Sequence, residues 1–208
     1  MDDHKPTIYI VDDDPSVRQS TAMMLQSVGF DVKTFVSAQD FLNANVQETF
    51  GCLILDVRMP GVSGLDLQEK LVSLRTPLPV IFITGHGTIP MSVRAMKAGA
   101  VDFLQKPFEE QELLDAINRA ISIQTERRAK DDETHETQER LKTLTPREQE
   151  VFSLVVTGMA NKEIAYKLGT SERTIKAHRA QVMEKMHARS LADLIRFADR
   201  LKIHPADR

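Results

Sequence analysis

Five short runs of β-branched, aliphatic and aromatic residues recur along the first 124 residues, each bounded by turn-forming residues. Between the runs, apolar residues return at helical spacing, as at Leu67, Leu71 and Leu74. Right-handed crossovers bury such strands only when helices cover both faces of the sheet. The pattern therefore predicts a doubly wound α/β domain around a five-stranded parallel sheet. The predicted strands are TIYIV (7–11), DVKTF (31–35), GCLIL (51–55), PVIFI (79–83) and AVDFL (100–104).

The sequence changes character after Ile123, because the stretch QTERRAKDDETHETQER (124–140) contains no large apolar residue. Such a stretch is predicted to bury nothing, and it is either an exposed helix or a flexible tether. We therefore predict three parts: a domain over residues 1–124, a polar linker over 125–140 and a second domain over 141–208.

The second domain has helix-start signals and no strand pattern. Thr145 is predicted to cap a helix, with Pro146 at its first position and Glu148 closing a capping box. Further helices are predicted to begin at caps on Asn161, Ser171 and Ser190. The sequence thus predicts a small all-α bundle.

Charge and composition favour a soluble intracellular protein over a secreted or membrane protein. Residues 1–140 carry 14 Lys and Arg against 22 Asp and Glu, whereas residues 141–208 carry 13 against 8, which indicates different partners for the two halves. Cys52 is the only cysteine, so no internal disulfide can form. No basic-then-apolar leader and no run of about 20 apolar residues is present, and we expect a soluble cytoplasmic protein without a membrane partner.

Polar residues follow the ends of four predicted strands. Asp12 and Asp13 follow the first, Asp56 the third, Thr84 the fourth and Lys106 the fifth. Ligands of open parallel sheets bind at this carboxyl edge. Clustered carboxylates there suit Mg²⁺, and an acid, a hydroxyl and an ammonium together suit a phosphoryl group carried on a carboxylate.

Each of these aspartates alone is more typical of a turn or a helix cap, as we expect for Asp14 before Pro15. His86 is likewise more typical of a solvated loop than of a ligand. It is the convergence of four strand ends that favours a binding site.

The motifs VDDD, DVRMPGVSG, TG and KPF, in this order and spacing, resemble the receiver domain of bacterial response regulators, which has a flavodoxin-like fold. The resemblance implies that Asp56 accepts a phosphoryl group from a cognate sensor histidine kinase. It also implies that Asp12, Asp13, Asp56 and the backbone carbonyl of Arg58 arrange a Mg²⁺ ion.

The same resemblance implies that Thr84 and Lys106 contact the phosphoryl oxygens, and that Phe103 is an aromatic switch that turns inward when Thr84 moves. It further implies a cis peptide bond before Pro107. We further predict that phosphorylation makes one face competent for homodimerisation, the face of the fourth helix and fifth strand around Val93, Met96, Lys97 and Val101.

The stretch NKEIAYKLGTSERTIKAHRA (161–180) has the layout of a helix-turn-helix. On its second helix Ile175, Val182 and Met186 form an apolar stripe, and the opposite face carries basic and small residues. That face suits the major groove of DNA, although a charge-rich helix face is usually only solvated. The predicted base-facing residues are Arg173, Thr174, Lys176, Ala177 and Ala180, and the predicted phosphate contacts are Lys162, Arg179 and Lys185.

The motifs LTPREQEVF, NKEIA and SERTIKAHRAQVMEKM resemble the LuxR-type DNA-binding domain. The two halves together resemble response regulators of the FixJ/NarL family, and the receiver motifs are most similar to those of FixJ. The resemblance implies a phosphorylation-dependent transcription regulator of promoter DNA that is not an enzyme, with RNA polymerase as a candidate partner.

Two alternatives compete with this interpretation. Phosphatases of the haloacid dehalogenase type also use an aspartate nucleophile, but they carry a second Asp two residues later, where this chain has Arg58. A protein-interaction adaptor whose helical domain never meets DNA is the other. The absence of a GxxxxGK motif argues against self-phosphorylation from ATP.

Overall fold

The structure is a computed structural model that describes residues 5–44, 46, 50–74, 76 and 78–203. These residues form two compact units, which divide between Arg127 and Arg128. Among the described residues, no helix is long and apolar enough to cross a membrane.

The first unit is a five-stranded, wholly parallel sheet with the order β2-β1-β3-β4-β5. This arrangement confirms the predicted doubly wound α/β fold. Its strands are β1 (Thr7–Val11), β2 (Asp31–Phe35), β3 (Gly51–Asp56), β4 (Val80–Thr84) and β5 (Asp102–Gln105). Its helices are α1 (Pro15–Ser27), α2 (Ala38–Asn43), α3 (Gly64–Ser73), α4 (Ile89–Lys97) and the start of α5 (Glu110–Lys142).

Two strands begin later than predicted, for local reasons. Pro79 has no N–H to donate to the ladder, and β4 starts at the next residue. Ala100 donates its N–H to Ala95 O at 3.0 Å, so this residue closes α4 instead of opening β5.

The sheet has one apolar core on each face, because side chains alternate along a strand. Tyr9, Leu53 and Phe82 belong to one cluster, whereas Ile8, Ile54 and Ile81 belong to the other, with helices α1 and α5. Every residue of β3 is buried, and this central strand carries Asp56 at its carboxyl end.

The segment predicted as a linker is helical throughout, since α5 continues from Glu110 to Lys142. The exposed-helix alternative is therefore the one found. The expectation that the segment buries nothing is wrong at Thr137, which is 2% exposed. Arg200 reaches this helix, with its guanidinium 3.4 Å from Thr137 Oγ1 and 2.7 Å from Glu133 Oε1.

The second unit is all-α, as predicted. Beyond the end of α5 it consists of α6 (Pro146–Val155), α7 (Asn161–Lys167), α8 (Glu172–Lys185) and α9 (Leu191–Arg200). Thr145 and Glu148 form the predicted capping box of α6. Ser171 and Ser190 cap α8 and α9 as predicted.

The prediction of Asn161 as a helix cap is wrong. Ala160 is the cap residue, and its N–H donates to the Glu163 carboxylate at 2.7 Å, which replaces a side-chain cap. Asn161 is instead the first helical residue, and its Oδ1 accepts a hydrogen bond from Arg179 of α8 at 3.0 Å. Its polar side chain thus joins the two helices of the predicted helix-turn-helix.

Candidate functional site

Three carboxylates meet at the carboxyl edge of the sheet. Asp12 and Asp13 follow β1 and Asp56 ends β3, and one oxygen from each lies within 4.8 Å of the others. This is the one group of three or more potential metal ligands among the described residues. Asp12 and Asp56 are buried, whereas Asp13 faces solvent.

Lys106 provides the counter-charge. It follows β5, and its ammonium lies 2.6 Å from Asp12 Oδ2 and 3.3 Å from Asp56 Oδ1. Its backbone N–H donates to Thr84 O at 2.8 Å, which holds the end of β5 beside β4. The peptide bond between Lys106 and Pro107 is cis, as the resemblance implies.

Further oxygens of Asp12 accept hydrogen bonds from neighbouring residues. Asp12 Oδ1 accepts the backbone N–H of Asp14 at 2.9 Å, and Asp14 itself caps α1 as predicted. Arg18 donates to the backbone carbonyl of Asp12 at 2.7 Å. Asp12 is therefore held in place from both its side chain and its main chain.

Asp56 titrates in a mixed environment. Burial raises the pKa of Asp56 above its ordinary value, and the negative charges of Asp12 and Asp13 act in the same direction. The ammonium of Lys106 opposes them. Three carboxylates and one ammonium leave uncompensated negative charge on hard oxygen donors, which fits a Mg²⁺ ion.

The backbone around Asp56 allows no side chain at position 64. A Cβ at Gly64 would lie 2.1 Å from Asp56 O, and the Gly64 N–H donates to Val57 O at 3.0 Å. The loop from Val57 to Gly64 thus folds back tightly on the strand end, with Arg58 exposed and Met59 buried. The motif DVRMPGVSG reflects this constraint.

Thr84 ends β4, which is the neighbour of β3 in the sheet, and Phe103 lies on the next strand, β5. Thr84 is 1% exposed, and its Oγ1 accepts the His86 N–H at 3.3 Å. Phe103 is half-buried, with its ring centroid 6.1 Å from that of Phe82. The Thr84 hydroxyl therefore bonds within its own loop, and it would have to leave this partner to contact a group on Asp56.

In the second unit, α8 presents two chemically different faces. Ile175, Val182 and Met186 are fully buried in the helical core, and Ala165 of α7 packs in the same cluster. The predicted base-facing residues are all exposed: Arg173, Thr174, Lys176, Ala177 and Ala180.

The predicted phosphate contacts are less uniform. Lys162 is exposed on α7. Arg179 donates to Asn161, and Lys185 lies 2.7 Å from Glu148 Oε2 with its side chain 30% exposed. Arg179 and Lys185 are thus engaged within the unit, which the sequence pattern does not indicate.

Two family models match the chain. Residues 8–118 match the response regulator receiver domain, and residues 142–198 match the bacterial regulatory proteins of the luxR family. The chain belongs to the response regulators with a LuxR-type DNA-binding domain.

Relatives of the regulator match along nearly its whole length. Nodulation protein W of Bradyrhizobium diazoefficiens is 52% identical over 203 residues, covering 96% of this chain and 88% of that protein. Transcriptional regulatory protein FixJ of Rhizobium meliloti is 48% identical, covering 92% of this chain and 94% of that protein. The low-resolution structure of the response regulator StyR superposes with a TM-score of 0.82 at 48% identity, covering 94% of the regulator and 99% of that chain.

The regulator's structure brings Asp12, Asp13, Asp56 and Lys106 together as the strand-end argument predicts, with Thr84 bonded to Lys106 through the main chain. Sequence reasoning missed the close packing at Gly64 and at Gly87, where an added Cβ would lie 2.9 Å from Phe103 Cε1. The glycine-rich motifs DVRMPGVSG and TGHG are the signal that could have found these two positions.

Proposed function

We propose that the regulator accepts a phosphoryl group on Asp56 from a cognate sensor histidine kinase, and that phosphorylation makes it dimerise and bind promoter DNA. The observation that carries this proposal is the position of Asp56. It ends the buried central strand and faces both an acidic pair and the ammonium of Lys106.

The other two acids are poorer acceptors for geometric reasons. Asp12 is fully buried, and both of its carboxylate oxygens already accept hydrogen bonds. Asp13 faces solvent, and within the described part of the chain its carboxylate forms no ion pair, since Lys106 pairs with Asp12 and Asp56. The Asp56 side chain is not completely buried, and its carboxylate makes a single, longer contact with the Lys106 ammonium.

In the proposed transfer, a carboxylate oxygen of Asp56 attacks the phosphorus of a phosphohistidine. The phosphorus–nitrogen bond breaks, its electron pair leaves with the imidazole, and an acyl phosphate forms on Asp56. Lys106 and Thr84 then donate to the phosphoryl oxygens.

Mg²⁺ is the metal that we propose for this site. Asp12, Asp13, Asp56 and the backbone carbonyl of Arg58 would hold it, and its charge would neutralise phosphoryl oxygens when it is bound. The donor set is wholly oxygen, as this cation prefers.

Labelling of Asp56→Asn tests the acceptor. The full-length chain is incubated with Mg²⁺ and a radiolabelled small acyl phosphate, beside wild type and the control Asp66→Asn, which removes an exposed carboxylate on α3. We expect label on wild type and on the control, and none on Asp56→Asn. Undiminished labelling of Asp56→Asn would overturn the assignment.

For DNA we propose that α8 is the recognition helix. Its exposed face is proposed to meet base edges through Arg173, Thr174, Lys176, Ala177 and Ala180, with Lys162, Arg179 and Lys185 beside phosphates. The excess of basic residues over residues 141–208 supports a polyanionic partner.

The organisation around these sites is proposed as follows. Residues 1–124 act as receiver, 125–140 as linker and 141–208 as DNA-binding domain. The dimer forms through α4 and β5, where Val93 and Met96 are 44% and 47% exposed. RNA polymerase is the proposed partner at the promoter, and a DNA target implies a cytoplasmic location.

We also propose that the protein does not turn over outside substrates. The position that would hold a general acid, two residues after Asp56, is occupied by the exposed Arg58. Its guanidinium keeps its proton in proteins and cannot act as the general acid. Hydrolysis of a generic phosphate ester above the rate of Asp56→Asn would contradict this proposal.

A further inference from the structure

The loop between β4 and α4 lies close to both the hydroxyl and the methyl group of the Thr84 side chain. Thr84 Oγ1 accepts the N–H of His86, and Thr84 Cγ2 lies 3.1 Å from the position that a Cβ on Gly87 would take. The hydroxyl and the methyl of Thr84 therefore both depend on residues 85–87.

The ring of Phe103, on β5, also lies close to Gly87. A Cβ at Gly87 would lie 2.9 Å from Phe103 Cε1 and 3.5 Å from Phe103 Cζ. Carbon atoms in good contact are about 3.5–4.0 Å apart, so a methyl at position 87 cannot coexist with the ring in this place. The ring edge, the Thr84 methyl and the Gly87 backbone thus share one small space.

Gly85, two residues earlier, has a different environment. A Cβ there would meet nothing within 4 Å. Neither Gly85 nor Gly87 is among the described glycines with positive φ, so alanine suits the backbone at both positions. The two glycines therefore differ in packing, and Gly85 is a matched control.

We propose that Gly87 is a positioning residue of the phosphorylation switch. Because Gly87 has no side chain, the Thr84 methyl and the Phe103 ring can lie together beside it in the unphosphorylated chain. A methyl at position 87 would penalise that arrangement and favour the one in which Thr84 has turned toward Asp56. This inference rests on the proposed function, because it takes Thr84 and Phe103 as the switch.

The direction of the effect follows from which state the methyl contacts. Thr84 must give up the His86 N–H to reach a phosphoryl group on Asp56. In the proposed switch, this rotation of the side chain also carries Cγ2 away from Gly87. A perturbation that penalises only one of two states shifts the population toward the other. Gly87→Ala should therefore imitate part of the effect of phosphorylation.

The test compares full-length wild type, Gly87→Ala and Gly85→Ala by sedimentation, each with and without a small acyl-phosphate donor. We expect Gly87→Ala without donor to dimerise about tenfold more tightly than wild type, while Gly85→Ala matches wild type. In the Phe103→Ala background, which removes the ring, the effect of Gly87→Ala should be smaller, because only the contact with Thr84 Cγ2 at 3.1 Å remains.

A second measurement tests the contact without requiring dimers. Urea unfolding of wild type, Gly87→Ala, Phe103→Ala and the double variant forms a cycle, and we expect the cost of Gly87→Ala to fall when the ring is absent. Additive costs in this cycle would overturn the inference.

The outcomes separate the two proposals. If wild type dimerises with donor but Gly87→Ala behaves as Gly85→Ala, the role of Gly87 is wrong and the proposed function stands. If wild type stays monomeric with label on Asp56, the proposed dimerisation fails, and the urea cycle alone decides the packing at Gly87.

Discussion

At the scale of single residues, one ammonium links the buried acids of the phosphorylation site. Lys106 contacts both Asp12 and Asp56, whereas Asp13 contributes its charge from the solvent side. Asp13 is therefore the proposed Mg²⁺ ligand whose removal least disturbs the packing of the site.

Asp13→Ala is expected to raise the Mg²⁺ concentration for half-maximal labelling by on the order of tenfold, because it removes one oxygen ligand while Asp56 remains. The labelling rate at each Mg²⁺ concentration gives this value. Asp14→Ala is the control, because it removes the neighbouring carboxylate that caps α1 and lies outside the acidic cluster. Equal Mg²⁺ dependence of the two variants would contradict the ligand role of Asp13.

A second residue-scale feature is the pair formed by Glu148 and Lys185. Glu148 is 6% exposed, and it accepts from the Lys185 ammonium and from the Thr145 N–H at 2.8 Å. The hydrogen bond from Lys185, followed by that from Thr145, holds the pKa of Glu148 below its ordinary value. One carboxylate thus caps α6 and anchors the end of α8.

Glu148→Gln should lower the free energy of opening of α6 and α8 by about 1–2 kcal/mol at pH 7. Because the folded pKa is lowered, the stabilisation by the carboxylate is present above the unfolded pKa of about 4.3 and is lost as pH falls through the folded pKa. The difference between wild type and variant should therefore shrink below about pH 4.

Amide hydrogen exchange of the full-length chain measures this difference. Glu150→Gln is the control, since among the described residues that exposed carboxylate pairs only with Arg147 on the same helix, and it should cost under about 0.5 kcal/mol. If the difference in opening free energy between wild type and Glu148→Gln stays constant down to acid pH, ionisation of Glu148 is not the cause of that difference.

At the scale of elements, α8 separates packing from recognition within one helix. Its buried stripe packs the helix into the core. The residues on the opposite face are exposed and do not contribute to this packing. Lys176 is exposed on that face, whereas Lys185 is held by Glu148. The two lysines should consequently respond differently to substitution.

Lys176→Ala is expected to cost about 1–3 kcal/mol in binding to the preferred duplex and to relax preference at one base pair. Lys162→Ala should weaken all duplexes alike and reduce the slope of affinity against salt. Titrations of both variants on matched and scrambled duplexes give these quantities. Equal, sequence-independent losses would make Lys176 a phosphate contact only.

The elements also show how far local sequence signals reach. The bounds of β1 and β2 follow from their β-branched, aliphatic and aromatic residues, and the caps at Thr145, Ser171 and Ser190 follow from residue type. Asn161 misleads because Glu163, three residues later, supplies the cap that its own side chain does not.

What the sequence could not predict depends on partners far along the chain. Lys185 and Glu148 are 37 residues apart, and Arg200 and Thr137 are 63 apart, so no local pattern marks either pair. The strand-end site could be predicted because parallel topology itself brings Asp12, Asp56 and Lys106 to one edge. The close approach of Phe103 to Gly87 joins β5 to the loop after β4 and depends on a side-chain orientation that topology leaves free.

At the scale of the whole molecule, the account links an acidic receiver to a basic DNA-binding unit through association. A single helix-turn-helix unit reads one half-site weakly, and two held together gain about 10²–10⁴ in avidity without new base contacts. Phosphorylation replaces the single negative charge of the Asp56 carboxylate with about two on the acyl phosphate, and its new oxygens favour the state in which Thr84 donates to them. Dimerisation is the proposed step that turns this local change into tighter DNA binding.

The measurement that tests this claim most directly combines sedimentation with DNA titration on phosphorylated full-length protein. Duplexes selected by that protein are used with one half-site or with two, and Asp56→Asn serves as the unphosphorylated reference. The account predicts that dimers and tighter binding to the two-half-site duplex appear together in wild type, while the one-half-site affinity stays constant. A phosphorylated protein that remains monomeric while its affinity for a single half-site rises sharply would contradict it.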